Sequence, residues 1–119
     1  MRSERERLLD VLEAIERIEK YASRGKPAFL GDELIQNWMV SQITVIGEAC
    51  RALPEEFQAE HANVPWADIV AMRNILVHHY FGIDVDAVWS VVERDIPELK
   101  FNIKAILEEL GDSSQEKRK

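Results

Sequence analysis

The chain has 119 residues, 46% hydrophobic and 31% charged, which is enough for one compact domain with its own core, too short for two, and too apolar for a disordered segment. Its net charge of −7 excludes a protein that grips nucleic acid through a broad basic surface, so any nucleic-acid role must rest on a few local cations. Nothing at the N-terminus has the apolar core of a signal peptide, and no run approaches the roughly 18 apolar residues of a membrane span, so the expected address is cytoplasmic with no membrane partner.

From Glu4 to Ala22, apolar residues fall at Leu8, Val11, Leu12, Ile15, Ile18 and Ala22, the spacing that lays one stripe along a helix. A loop is expected over residues 23–31, where Gly25 and Pro27 interrupt the pattern. Asp32 is a suitable N-cap for a second helix striped by Ile35, Trp38, Met39, Ile43, Ile46, Ala49, Cys50 and Leu53, ending at Pro54. Gln42 falls inside that stripe and reads as a buried amide bonded to a neighbouring helix. Gly47, in mid-helix, costs about 1 kcal/mol against alanine and suggests close approach of another backbone, within the bundle or across a dimer. The lone cysteine, Cys50, lies on the apolar face and reads as a small core residue. Glu48 points away from the stripe as a solvated or interface charge.

Residues 54–65 are mostly polar and proline-bounded, a connection with room for a helical turn. Pro65 suits the first position of a third helix over 65–80, and Asp68 complements its positive end. Within it Trp66, Ile69, Val70, Leu76 and Val77 form an apolar stripe, yet Arg73 and Tyr80 fall in the same stripe, roughly 20° and 40° from the direction of Trp66. Either their polar ends reach water along apolar stems, or the two are semi-buried and want a partner surface. Asp84 then caps a fourth helix over 84–110, whose apolar phase from Val85 to Leu110 survives Pro97, so a kinked or nearly continuous element is expected there, with Asp95 to Glu98 as a capping box should it break. Gly111 is expected to close it. The reading is an all-α, up-and-down bundle of four main helices, one domain over 1–111, with a disordered tail over 112–119 and no strand pattern.

Arg73, Asn74, His78 and Tyr80 place a fixed cation, an amide, an imidazole and a phenol within two turns. This run resembles the Arg-x4-His-x-Tyr signature of the HEPN family. The wider run Trp66-x2-Ile69-x2-Met72-Arg73-Asn74-x-Leu76-Val77-His78-x-Tyr80-x3-Asp84 to Trp89 is similar to its bacterial toxin branch, the HepT-like ribonucleases. The resemblance covers about residues 5–110 and implies a toxin that cleaves RNA without metal or cofactor, through attack of the 2′-hydroxyl. It also implies a homodimer and control by a minimal nucleotidyltransferase antitoxin that attaches AMP to the motif tyrosine, here Tyr80. Catalysis would fall to Arg73 and His78, supported by Asn74 and Tyr80. The alternative is a non-catalytic HEPN module that binds a nucleotide or docks a nucleotidyltransferase, which the acidic balance favours.

The side chains suit the chemistry. Arginine presents a permanent planar cation matched to phosphate oxygens, and a histidine near its ordinary pKa of about 6.5 exchanges protons at neutral pH. Tyr80 could donate to phosphate or stack on a base. On a regular helix, however, Arg73 and His78 diverge by roughly 140°, so either the helix frays near His78 or two copies combine their cations. His79 points about 100° from His78, and His61 lies in a connection, so no zinc or di-metal site is expected.

Overall fold

The computed structural model describes the backbone of residues 2–78 and 82–118 and the side chains of residues 2–77 and 82–111. Its elements are α1 (Glu4–Ala22), α2 (Lys26–Leu30), α3 (Glu33–Arg51), α4 (Glu55–Glu60), α5 (Trp66–Leu76), β1 (Val77–His78), β2 (Gly82–Ile83), α6 (Val85–Ser90), a π-helical segment (Val91–Asp95) and α7 (Ile96–Arg118). The all-α bundle stands, with α3 packed against both α1 and α5 and with α7 also packed against α1. Its core is one cluster running from Leu8, Val11, Ile15 and Ile18 through Met39, Ile43 and Ile46 to Ile96 and Ile103. Each such side chain, fully buried, contributes about 1.5–3 kcal/mol, so the stripes alone account for the association of the helices.

Local chemistry starts and stops the elements as the sequence indicates. Ser3 caps α1 through a capping box, its hydroxyl accepting from the Glu6 N–H at 3.1 Å while the Glu6 carboxylate accepts from the Ser3 N–H at 3.0 Å. The Ser3 bonds hold the Glu6 carboxyl below its ordinary range of 4.5. Asp32 caps α3, its carboxylate accepting from the Leu34 N–H at 2.9 Å. The bundle is tied laterally where the Trp38 indole donates to the Arg17 carbonyl at 3.0 Å, and where Lys100 on α7 meets both carboxylate oxygens of Glu19 on α1, at 2.9 and 3.1 Å.

Three readings change, and the disturbance expected at Pro97 takes a definite form. Residues 26–30, expected as loop, form a short helix because Pro27 sits in its first turn, where its missing N–H costs nothing. That helix buries Phe29 completely, its ring 5.3 Å from that of Trp89. Around Pro97 the disturbance takes the form of the π segment: the Ile96 N–H reaches back to the Val91 carbonyl, one residue further than an α-helical bond. Val91 is buried with Val88, Trp89 and Val92, and Pro97, which has no N–H to donate, comes directly after this widened turn. The helical backbone also continues past Gly111. Finally, Gln42 is buried as expected, at 5% exposure, but its Oε1 has no hydrogen-bond partner among the described residues.

Gly47 and Cys50 take the places anticipated for them. A Cβ on Gly47 would lie 3.6 Å from the carbonyl oxygens of both Ile69 and Val70, so the close approach is that of α5 within the same chain. Cys50 is fully buried, and desolvation pushes its thiol up to about 12; it is a core residue, inert at neutral pH.

Candidate functional site at the end of α5

The element that carries Arg73 is anchored firmly at its start. The Trp66 indole N–H is shared between the carbonyls of Gln58 and His61, at 3.1 and 3.0 Å. Its ring stands against Phe57, which in turn faces the His61 ring at 4.7 Å. The short α4 and its connection therefore cover the direction in which Trp66 points. Ile69 and Leu76 are buried as well, and the backbone near Ile69 and Val70 closes on α3 at Gly47.

This arrangement decides between the two environments expected for Arg73. The side chain is exposed, as are those of Asn74 and Ile75 beside it. The direction shared with Trp66 is covered only at the helix start, because α4 is six residues long, whereas Arg73 stands about 10 Å further along the axis. Among the described residues Arg73 makes no ion pair or side-chain hydrogen bond. Its guanidinium also sits in the last turn, where the exposed carbonyls of the helix end favour a cation and would by themselves repel a phosphate. A free, permanent cation is what allows an anion to approach there.

The helix expected over 65–80 ends at Leu76. Val77 adopts φ −118° and ψ 115°, and β1 pairs antiparallel with β2, Val77 opposite Ile83 and His78 opposite Gly82. Three local causes agree. Val77 begins a run, Val-His-His-Tyr-Phe, in which valine and the aromatic residues favour extended backbone. Gly82 supplies a φ of +75°, which other residues rarely adopt. The Asp84 N–H donates to the Leu76 carbonyl at 2.8 Å, satisfying one of the acceptors the helix end leaves open. Asp84 then starts the next helix, its Oδ1 accepting from the Ala87 N–H at 3.1 Å.

The ribbon therefore removes His78 from the helix that holds Arg73, and the roughly 140° divergence of a continuous helix does not apply. Arg73 and Asn74 occupy the last turn of α5, and His78 follows on the strand that leaves it. The His78 side chain and the whole of Tyr80, with His79 and Phe81, lie outside the described residues, so the contacts expected of them do too. Sequence reasoning missed the ribbon. The signal was Gly82 behind a β-prone run, and the helical phase of Leu76 and Val77 outweighed it.

Comparison with known proteins agrees with the motif. The family model for HepT-like ribonucleases matches residues 11–106. A Thermococcus cleftensis protein named "Probable ribonuclease HepT" is 39% identical over 100 residues, 83% of this chain and 91% of that one. A Methanocaldococcus jannaschii protein named as a gamma-glutamylcyclotransferase and candidate RNase is 39% identical over 108 residues, 90% of this chain, which spans only 49% of that longer protein. A candidate RNase of Caldanaerobacter subterraneus subsp. tengcongensis is 39% identical over 80 residues, 67% of this chain and 71% of that one. No solved structure matches. With the family match spanning the bundle from α1 into α7 and including every motif residue, the chain belongs to the HepT-like ribonuclease family.

Proposed function

We propose that this chain is a metal-independent endoribonuclease, the toxin of a type VII-like toxin–antitoxin pair acting in the cytoplasm. The observation that supports it best is Arg73, an exposed guanidinium without a partner among the described residues, in the last turn before His78 in a chain of a ribonuclease family. Arg73 holds the scissile phosphate and offsets charge on the phosphorane. His78 moves the proton: the 2′-oxygen attacks phosphorus, the bond to the 5′-oxygen breaks, and the proton lost by the 2′-hydroxyl is made good on the departing oxygen. The products are a 2′,3′-cyclic phosphate and a 5′-hydroxyl. Asn74 orients the imidazole or binds phosphate, and Tyr80 assists. Two copies form a homodimer that doubles the cations, which a chain of net charge −7 needs to hold RNA.

Tyr80 is also the control point in this reading. Its phenolate oxygen attacks the α-phosphorus of ATP on the partner nucleotidyltransferase, pyrophosphate leaves, and the attached AMP both blocks the site and pairs with Arg73. Incubating the chain with RNA in excess chelator tests the nuclease: cyclic phosphate ends that vanish in Arg73→Ala and His78→Ala are expected. Intact RNA from a folded wild-type protein at every salt concentration would sink the nuclease and favour the non-catalytic module. Intact-mass analysis after treatment with the nucleotidyltransferase and ATP should place AMP on Tyr80 and show cleavage falling in step; modified protein that cleaves at the original rate would overturn the control mechanism.

A further inference from the structure

α5 and α7 leave a groove of about 220 Å³ between them, lined along α5 from Pro65 to Met72. Its floor is apolar, made of Ile69, Ile96 and Leu99 with Met72 partly exposed above them. Its rim is acidic: Asp68 on one side, Asp95 and Glu98 on the other, all exposed and none in an ion pair among the described residues. Phe101, one turn after Glu98 on α7 and outside the groove's lining, is 75% exposed, the most exposed aromatic among the described residues.

The size decides what kind of guest fits. A volume near 220 Å³ takes one or two apolar side chains and is below the range of about 300–1,000 Å³ usual for cofactors and drug-sized ligands. The rim decides its charge. Three carboxylates repel phosphate, so RNA held at Arg73 runs away from this groove, and an apolar anchor with lysines or arginines on either side gains both burial and attraction. We propose that the α5–α7 groove is a docking site for a basic, amphipathic helical segment of a partner protein, its apolar residues seated over Met72 and Phe101 and its cations on Asp68, Asp95 and Glu98. This surface is separate from the ribonuclease site, and the assignment stands or falls independently of it.

The probe is a synthetic helical peptide with leucines at i, i+3 and i+7 and lysines elsewhere, titrated into the full chain while amide resonances are followed. The expected result is movement of Ile69, Leu99 and the Asn102 side-chain amide. Affinity should fall about tenfold in the triple variant Asp68→Asn, Asp95→Asn, Glu98→Gln. A control that removes the same charge elsewhere, Glu16→Gln, Glu56→Gln, Glu108→Gln, should lose about twofold or less. Phe101→Ser should also weaken the peptide while leaving the melting midpoint and RNA cleavage unchanged. Equal losses in the two triple variants would reduce the effect to general attraction and overturn the proposal. So would absence of binding, single-stranded RNA moving the same resonances, or dissociation of a wild-type dimer in the groove variant, which would give the surface to a second copy.

Discussion

Gly47 fixes how closely α5, and with it Arg73, lies against α3. A Cβ at this position would stand 3.6 Å from the Ile69 and Val70 carbonyl oxygens and 3.9 Å from the Val70 Cα, which is ordinary van der Waals contact. Gly47→Ala therefore meets no clash and gains the helix propensity glycine forfeits, about 1 kcal/mol. For a chain of 119 residues that raises the melting midpoint by about 3–5 °C. Gly47→Val is different, because its γ-carbons extend about 1.5 Å beyond a Cβ already in contact with backbone that cannot rotate away. Overpacking of this kind costs about 1–3 kcal/mol, more than the propensity gained, and it displaces α5. Thermal and urea unfolding of both variants, with RNA cleavage measured on each, should show alanine more stable and fully active, and valine less stable and impaired. An alanine variant that melts more than about 2 °C below wild type, or a valine variant as stable as alanine, would refute the spacing argument.

Two further outcomes follow from single groups. Ser3→Ala removes the hydroxyl that the Glu6 N–H donates to and releases the Glu6 carboxyl toward its ordinary pKa, so the melting midpoint should drop by about 3 °C at neutral pH. Because Glu6 is depressed in the folded state, its contribution is present above the unfolded carboxyl range and is lost as pH falls through the folded value; the gap between wild type and Ser3→Ala should narrow in acid, and a gap that widens there would contradict the assignment. Cys50, buried and pushed up to about 12, should react with a thiol reagent at pH 8 only through global unfolding, its rate rising with denaturant in step with loss of helix signal; rapid reaction of the native protein would show that the core opens locally.

The sequence made the bundle legible because long stripes on α1 and α3 average over many residues: Leu8, Val11, Ile15 and Ile18 on one, Met39, Ile43 and Ile46 on the other, are buried as their spacing requires. It was less informative where one residue decides. Phe29 lies in a three-residue apolar run, Ala28 to Leu30, between Pro27 and Gly31, too short for periodicity to register, and its burial against Trp89 is settled by tertiary contact. Val91 is buried in the π segment, within a phase that otherwise looks regular on both sides. At the site, Arg73 was identified by residue type but its setting stayed open between solvent and a partner surface, since helical phase says which direction a side chain takes and nothing about how far the neighbouring element extends. Trp66 is covered by α4 and Arg73, in nearly the same direction, is open to solvent.

The ribbon beyond α5 gives the sharpest remaining test of the site, through Gly82. Its φ of +75° is one that L side chains resist, yet a Cβ placed there meets no atom within 4 Å among the described residues. Steric crowding and backbone strain can therefore be separated. Gly82→Ala should cost only the left-handed penalty, about 1–2 kcal/mol, felt where β2 pairs with β1 and leaving the core of Ile69, Leu76 and Val88 intact. Gly82→Asn, which tolerates that region better, should recover part of the loss although its side chain is larger. If the pairing of His78 with Gly82 positions the catalytic backbone, turnover should fall in the order glycine, asparagine, alanine, with KM for RNA little changed because Arg73 is anchored by α5 rather than by the ribbon. Amide exchange should quicken at Val77 and Ile83 in the same order. Alanine as active as glycine with faster exchange would mean that the ribbon plays no part in catalysis. Asparagine worse than alanine would mean that size, not φ, is what the position rejects.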